Sequence, residues 1–191
     1  MRVLPTELPG VLLVEPTVIS DARGFFVESW QRDRFAAAGI EGPFVQDNHS
    51  QSGPWTLRGL HAQLRQPQGK LVRVVEGEIF DVAVDIRRGS PTFGRWAGAR
   101  LSAETFRQLW VPPGFAHGFL VTRGPAQVLY KATAFYARED EVAIAWNDPA
   151  IGIGWPLPAG VEPVLSEKDR VAPALAELAG RLPFYPAAAA E

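Results

Sequence analysis

Between Lys70 and Ile86 the chain reads KLVRVVEGEIFDVAVDI, a β-branched run with apolar side chains at alternate positions, interrupted once by Gly77. A period of two marks a strand, and the central glycine predicts two strands joined by a tight connection. Shorter runs of the same kind follow at RWAGARL, QLWVPP, GFLVT, AQVLYKATAFY and EVAIAW, separated by turn-forming GSPTFG, PPGFAHG, RGPA and NDPAIG. A helical period shows in two places only. DRFAAAG predicts a short helix with Asp33 as its N-cap and Gly39 just past its end, and APALAELAGRL predicts another with Leu175, Leu178 and Leu182 on one face. The terminal AAAAE is expected to fray. Many short strands with Gly and Pro turns predict an all-β jelly-roll barrel with short flanking helices. With no internal repeat, linker or break in composition, residues 1–191 are expected to form a single domain.

Composition narrows the chemistry. A length of 191 residues with 47% apolar side chains suffices for a sizeable core. The formal charge of -2 and the lack of any basic block give no footprint for nucleic acid. Without cysteine the chain has no disulfide framework, no thiolate metal site and no cysteine nucleophile, which fits a reducing compartment. Pro5 and Pro9 interrupt MRVLPTELPGVLLVEP, so neither a signal peptide nor a membrane span is expected, and the protein is predicted to be cytoplasmic. Sixteen arginines against three lysines single out the lysines, of which Lys70 and Lys168 fall inside the motifs below.

There are three histidines. GLHAQ, Gly59 to Gln63, is expected to precede a strand, and PPGFAHGF ends in His117; the two stretches resemble the paired signatures of the cupin family. Metal-binding cupins carry a second histidine where this chain has Gln63, and a glutamate where Gln68 stands. Neutral amides are poor ligands for zinc or iron. No metal and no cofactor are therefore expected, which leaves the imidazole of His61 free for proton transfer. His49 reads as a polar turn residue.

A narrower resemblance emerges from longer strings taken in order: DARGFFVES, FVQDNHSQS, LRGLHAQ, QGKLVRVVEGEIFDVAVDIR, SPTFGRW, LSAE, QLWVPPGFAHGF, YKATAFY, WNDPAIGI, WP and LSEKD. Together they resemble the dTDP-4-dehydrorhamnose 3,5-epimerase family from about residue 2 to residue 170. The resemblance implies inversion of dTDP-4-dehydro-6-deoxy-D-glucose at the two carbons flanking its ketone. Such a reaction needs a base, a group orienting it, a stabiliser for the enolate oxygen and an acid on the opposite face. By resemblance His61 is the base, Asp169 its carboxylate partner, Lys70 the charge near the ketone oxygen and Tyr130 the proton donor. His117 either assists at the ketone or only hydrogen-bonds within the site. Arg23, Glu28, Gln46, Asp47, Asn48, Arg58, Glu141 and Lys168 match positions that bind the ligand, and Tyr136 matches an aromatic that stacks on thymine. Arg23 and Glu28 would lie on an N-terminal strand crossing to a second copy of the chain, implying a homodimer. Two departures stand out. Ala62 replaces a common aromatic and would widen the cavity wall, and Pro54, Trp55 and Thr56 occupy a loop where a Gly-Val pair is usual before Leu57.

Two other functions compete. Relatives that invert one carbon share the base and enolate chemistry and differ in the sugar pocket. A metal-free cupin that binds a sugar nucleotide without turnover would have no need of His61, Asp169 and Tyr130 as a set.

Overall fold

A computed structural model describes residues 1–185. Its strands are β1 (Arg2–Pro5), β2 (Leu12–Glu15), β3 (Val18–Asp21), β4 (Gly24–Val27), β5 (Gln46–Ser52), β6 (Leu57–Gln63), β7 (Lys70–Asp85), β8 (Trp96–Ser102), β9 (Gln108–Val111), β10 (Phe115–Ala132) and β11 (Glu141–Ala143). All but β3 and β4 join one antiparallel network, with β7 and β10 at its centre. The first quarter of β7 pairs with β9 and its second half with β8, while β10 runs along its other edge. β10 in turn pairs with β6 through its first part and with β5 through its last. The two long strands therefore pass from one layer of a jelly roll to the other, turning the corner together.

That corner sits at Gly77, and it corrects the expectation of two separate strands. Gly77 has φ +74°, and a Cβ there would lie 2.5 Å from the carbonyl oxygens of both Arg123 and Pro125. The residue bends a continuous strand as a bulge. Side-chain parity switches across it: Val72 and Val74 face the core before the bend, Ile79 and Ala83 after it. RGPA, expected as a turn, is likewise the bulged middle of β10, where the register shifts between Val121 and Val128.

Apolar side chains fill the space between the layers, among them Val72, Val74, Ile79, Leu101, Leu109, Phe119 and Val128. A second cluster covers the outer face of the layer containing β6, joining Leu60, Ala62, Val82 and Val84 to Leu175, Leu178 and Leu182. Those three leucines share a buried face as predicted, but the helix expected around them shrinks to one 3-10 turn, Leu175–Leu178. Pro173 and Gly180 bracket too few residues for more. A third cluster seats Phe35 and Ile40 against Leu71 and Trp110. Phe35 lies on α1 (Arg32–Ala36), whose N-cap is Gln31 in place of the expected Asp33: the Gln31 side-chain oxygen accepts from the Arg34 N–H at 2.6 Å. The AAAAE stretch lies outside the described residues.

Candidate active site

Antiparallel pairing of β6 with β10 sets His61 directly opposite His117. GLHAQ is itself part of β6, not a loop before a strand. Strand alternation turns Leu60 and Ala62 into the outer cluster and His61 to the inner face. Ala62 therefore leaves the cavity wall unchanged, contrary to the expected widening. The close approach of the two strands depends on Gly59, where a Cβ would meet the His117 carbonyl oxygen at 2.6 Å and the Gly118 Cα at 2.7 Å.

His61 opens onto a cavity of about 590 Å³ that is also lined by Arg58, Lys70, His117, Tyr130, Lys168 and Asp169. The sequence scatters these groups from residue 58 to residue 169, and the fold collects them. Asp169 belongs to α2 (Glu167–Arg170), capped by Ser166. The segment before α2 is tied down by main-chain bonds, Val164 N–H to Trp55 O at 2.9 Å and Leu57 N–H to Val164 O at 3.0 Å. Trp55 makes this connection with φ +60°, the left-handed conformation that favours glycine.

The His61 Nε2–H donates to Asp169 Oδ1 at 2.5 Å, and Ser166 Oγ donates to the other carboxylate oxygen at 2.8 Å. Burial alone would push the Asp169 carboxyl up, but the bonds from His61, Ser166 and the Gly59 N–H outweigh it and hold the group below its ordinary value. An ionised, fully bonded carboxylate fixes the tautomer and orientation of the imidazole. Nδ1, the second ring nitrogen, lies 3.8 Å from Glu141 Oε1, beyond hydrogen-bonding distance.

Burial pushes the Lys70 ammonium down to about 8, against the attraction of Glu141 and Asp81 and with a further push from Lys168. Burial also raises the Tyr130 phenol, opposed by Arg58 and reinforced by Glu141. Its proton therefore stays in place throughout the neutral range. His117 donates from Nε2 to Asp81 Oδ1 at 2.7 Å, while Asp81 Oδ2 is buried without a partner among the described residues. Asp81 was missed in the sequence, although a charged side chain on the core-facing parity of an apolar strand is the available signal. Ser50, Thr56 and Phe119 also line the cavity, although none of them was given a role there from the sequence.

The remaining predicted residues fall into three places. Glu141 accepts from Lys168 Nζ at 2.7 Å and from the Tyr136 hydroxyl at 3.2 Å, which links Tyr136 to the cavity edge. Gln46 Nε2 donates to Asn48 Oδ1 at 2.9 Å on β5. Asp47 points the other way, accepts from Lys131 and, with Asn48, lines a separate hollow of about 110 Å³. Arg23 and Glu28 are not brought to the cavity of their own chain. Arg23 sits in the β3–β4 hairpin turn and pairs with Asp21 at 2.6 Å, and Glu28 pairs with Arg34 at 2.9 Å. His49 lies on β5, not in a turn, within 2.7 Å of Gln127 Oε1.

The family model described as dTDP-4-dehydrorhamnose 3,5-epimerase matches residues 5–177. A Pseudomonas aeruginosa protein named dTDP-4-dehydrorhamnose 3,5-epimerase is 56% identical over 93% of this chain and 97% of its own. Among solved structures, a dTDP-6-deoxy-D-glucose-3,5-epimerase from Legionella pneumophila Philadelphia 1 in complex with dTDP-4-keto-L-rhamnose superposes with a TM-score of 0.93. It is 49% identical and covers 97% of this chain and 99% of its own. A 3'-monoepimerase from Streptomyces bikiniensis in complex with dTDP-quinovose is 37% identical, with a TM-score of 0.88 over 95% and 92% of the two chains.

Proposed function

The chain belongs to the dTDP-4-dehydrorhamnose 3,5-epimerase family, and from that premise we propose how its residues divide the work. The protein is an isomerase that epimerises dTDP-4-dehydro-6-deoxy-D-glucose at C3 and C5 to dTDP-4-dehydro-L-rhamnose. In our reading His61 removes the proton next to the C4 ketone through Nδ1, and Asp169 steadies the resulting imidazolium. The ammonium of Lys70 meets the negative charge that grows on the ketone oxygen. Tyr130, still protonated, delivers hydrogen from the opposite face. The observation that carries this assignment is the 2.5 Å His61–Asp169 bond inside a cavity that also holds Lys70 and Tyr130.

Arg58 and Lys168 bind the diphosphate, where Arg58 is held by bonds to Ser52 Oγ and the Gln51 carbonyl. Glu141, Gln46 and Asn48 complete the nucleotide end, while Asp47 faces the other side of β5, where it holds Lys131; Tyr136 stacks on thymine, and His117, braced by Asp81, stands beside the ketone. Arg23 and Glu28 act in the cavity of a second copy, so that the working unit is a homodimer. Support comes from the hairpin that carries or adjoins them, which exposes Ile19, Phe25 and Phe26 at 63%, 61% and 69%. We take residues 1–191 as one cytoplasmic domain acting without nucleic acid, membrane or cofactor.

NMR of the reaction mixture tests the outcome. The L-rhamno product, inverted at both carbons, is expected. A product inverted at one carbon would place the chain with the monoepimerases, and unchanged substrate with a binding-only cupin.

A further inference from the structure

The segment leaving β10 toward β11 carries two exposed aromatics, Phe135 and Tyr136, at 65% and 52%. Apolar burial therefore does little to fix it. Its main chain is gripped instead by the side-chain amides of three glutamines. Gln68 Nε2 donates to Ala134 O at 2.8 Å, Gln63 Nε2 to Phe135 O at 3.1 Å, and Gln46 Oε1 accepts from the Tyr136 N–H at 2.9 Å. Gln63 Oε1 then accepts from the Ala137 N–H at 2.9 Å, so one amide holds the chain on both sides of Tyr136. The second Gln63 donor goes to Gln66 O at 2.8 Å.

Gln63 is buried, and its amide is fully occupied by main chain. A side-chain amide offers two donors and an acceptor in one planar group: a glutamate would lose the two donor bonds, and an apolar residue would lose all three. The Tyr136 ring is fixed at its far end as well, through its hydroxyl on Glu141. A flat ring held in place before the ligand arrives has less freedom to lose on binding.

We propose that Gln63, assisted by Gln68, is a positioning residue for nucleotide recognition: it clamps the main chain on either side of Tyr136 so that the ring stands as a preset platform for the base. The inference rests on the reading of Tyr136 as the thymine contact. The position at which metal cupins carry a ligand thus serves, in this chain, to hold a neighbouring loop.

The test compares wild type with Gln63→Ala, Gln68→Ala, Tyr136→Leu and the Gln63→Ala/Tyr136→Leu double variant. Each is assayed for dTDP affinity by calorimetry, for KM and kcat, and for melting temperature. Gln63→Ala is expected to weaken dTDP and raise KM about tenfold, with kcat changed less than about twofold. In the Tyr136→Leu background the same substitution adds less than about twofold, because its effect runs through the ring already removed. Should Gln63→Ala fail to fold, Gln68→Ala, which gives up a single bond, carries the test with a shift of about threefold. Normal dTDP affinity in the folded variants overturns the inference, as does an effect that adds in full to that of Tyr136→Leu. If Tyr136→Leu itself leaves dTDP binding intact, the stacking assignment fails and the inference falls with it.

Discussion

At the scale of single residues, the environment of Lys70 has a consequence that pH can expose. Its ammonium stabilises an enolate only while protonated, and burial has brought its pKa down to about 8 despite Glu141 and Asp81 nearby. Raising the pH through that value removes the charge, so kcat/KM should fall above about pH 8. Arginine stays charged throughout this range. A Lys70→Arg variant, though slower overall, should therefore lose the upper limb of the profile. A wild-type rate that is flat to pH 10, or the same limb in both proteins, would contradict the role given to Lys70. At this scale the sequence was informative where a residue type carries the chemistry. His61, Asp169, Lys70, Tyr130, Arg58, His117 and Lys168 meet at one cavity. Asp81 has a local signal in its core-facing parity but belongs to no motif, and Ser50 gains its place only through the pairing of β5 with β10.

Elements were harder to delimit than to detect. Alternation located the strands, but a glycine with positive φ serves a turn and a bulge equally well, and nothing local to Gly77 separates them. The difference lies in β10, whose carbonyls pack against Gly77 from about fifty residues away. Ala174 to Ala179 has good helix formers, yet its length is set by Pro173 and Gly180. The bulge carries its own prediction. Gly77→Val forces a β-branched residue into φ +74° with Cβ contacts of 2.5 Å on two carbonyl oxygens. It should cost about 2 kcal/mol or more, read from the midpoint of urea unfolding. An unchanged midpoint would mean that the corner does not need glycine.

For the whole molecule, the cavity and the hairpin are two halves of one account. No helix among the described residues is long and apolar enough to cross a membrane. The β3–β4 hairpin exposes Ile19, Phe25 and Phe26, the face that the proposed function gives to a second copy of the chain. Sedimentation at micromolar concentration should give the mass of a dimer. Phe25→Asp with Phe26→Asp should give a monomer with kcat/KM reduced by about tenfold or more, because Arg23 and Glu28 then reach no cavity. A fully active monomer would remove the shared site. The jelly roll itself was legible from short strands and their turns, whereas Arg23 and Glu28 pair locally with Asp21 and Arg34 outside the cavity of their own chain, and no local pattern encodes the second copy proposed to receive them. The central claim, that the imidazole of His61 takes the proton, is tested most directly in D2O. Wild type should place deuterium at both C3 and C5 of the sugar, and His61→Asn should slow that exchange by roughly 10² to 10⁴-fold while dTDP still binds. Near-normal exchange at both carbons in the His61 variant would contradict it.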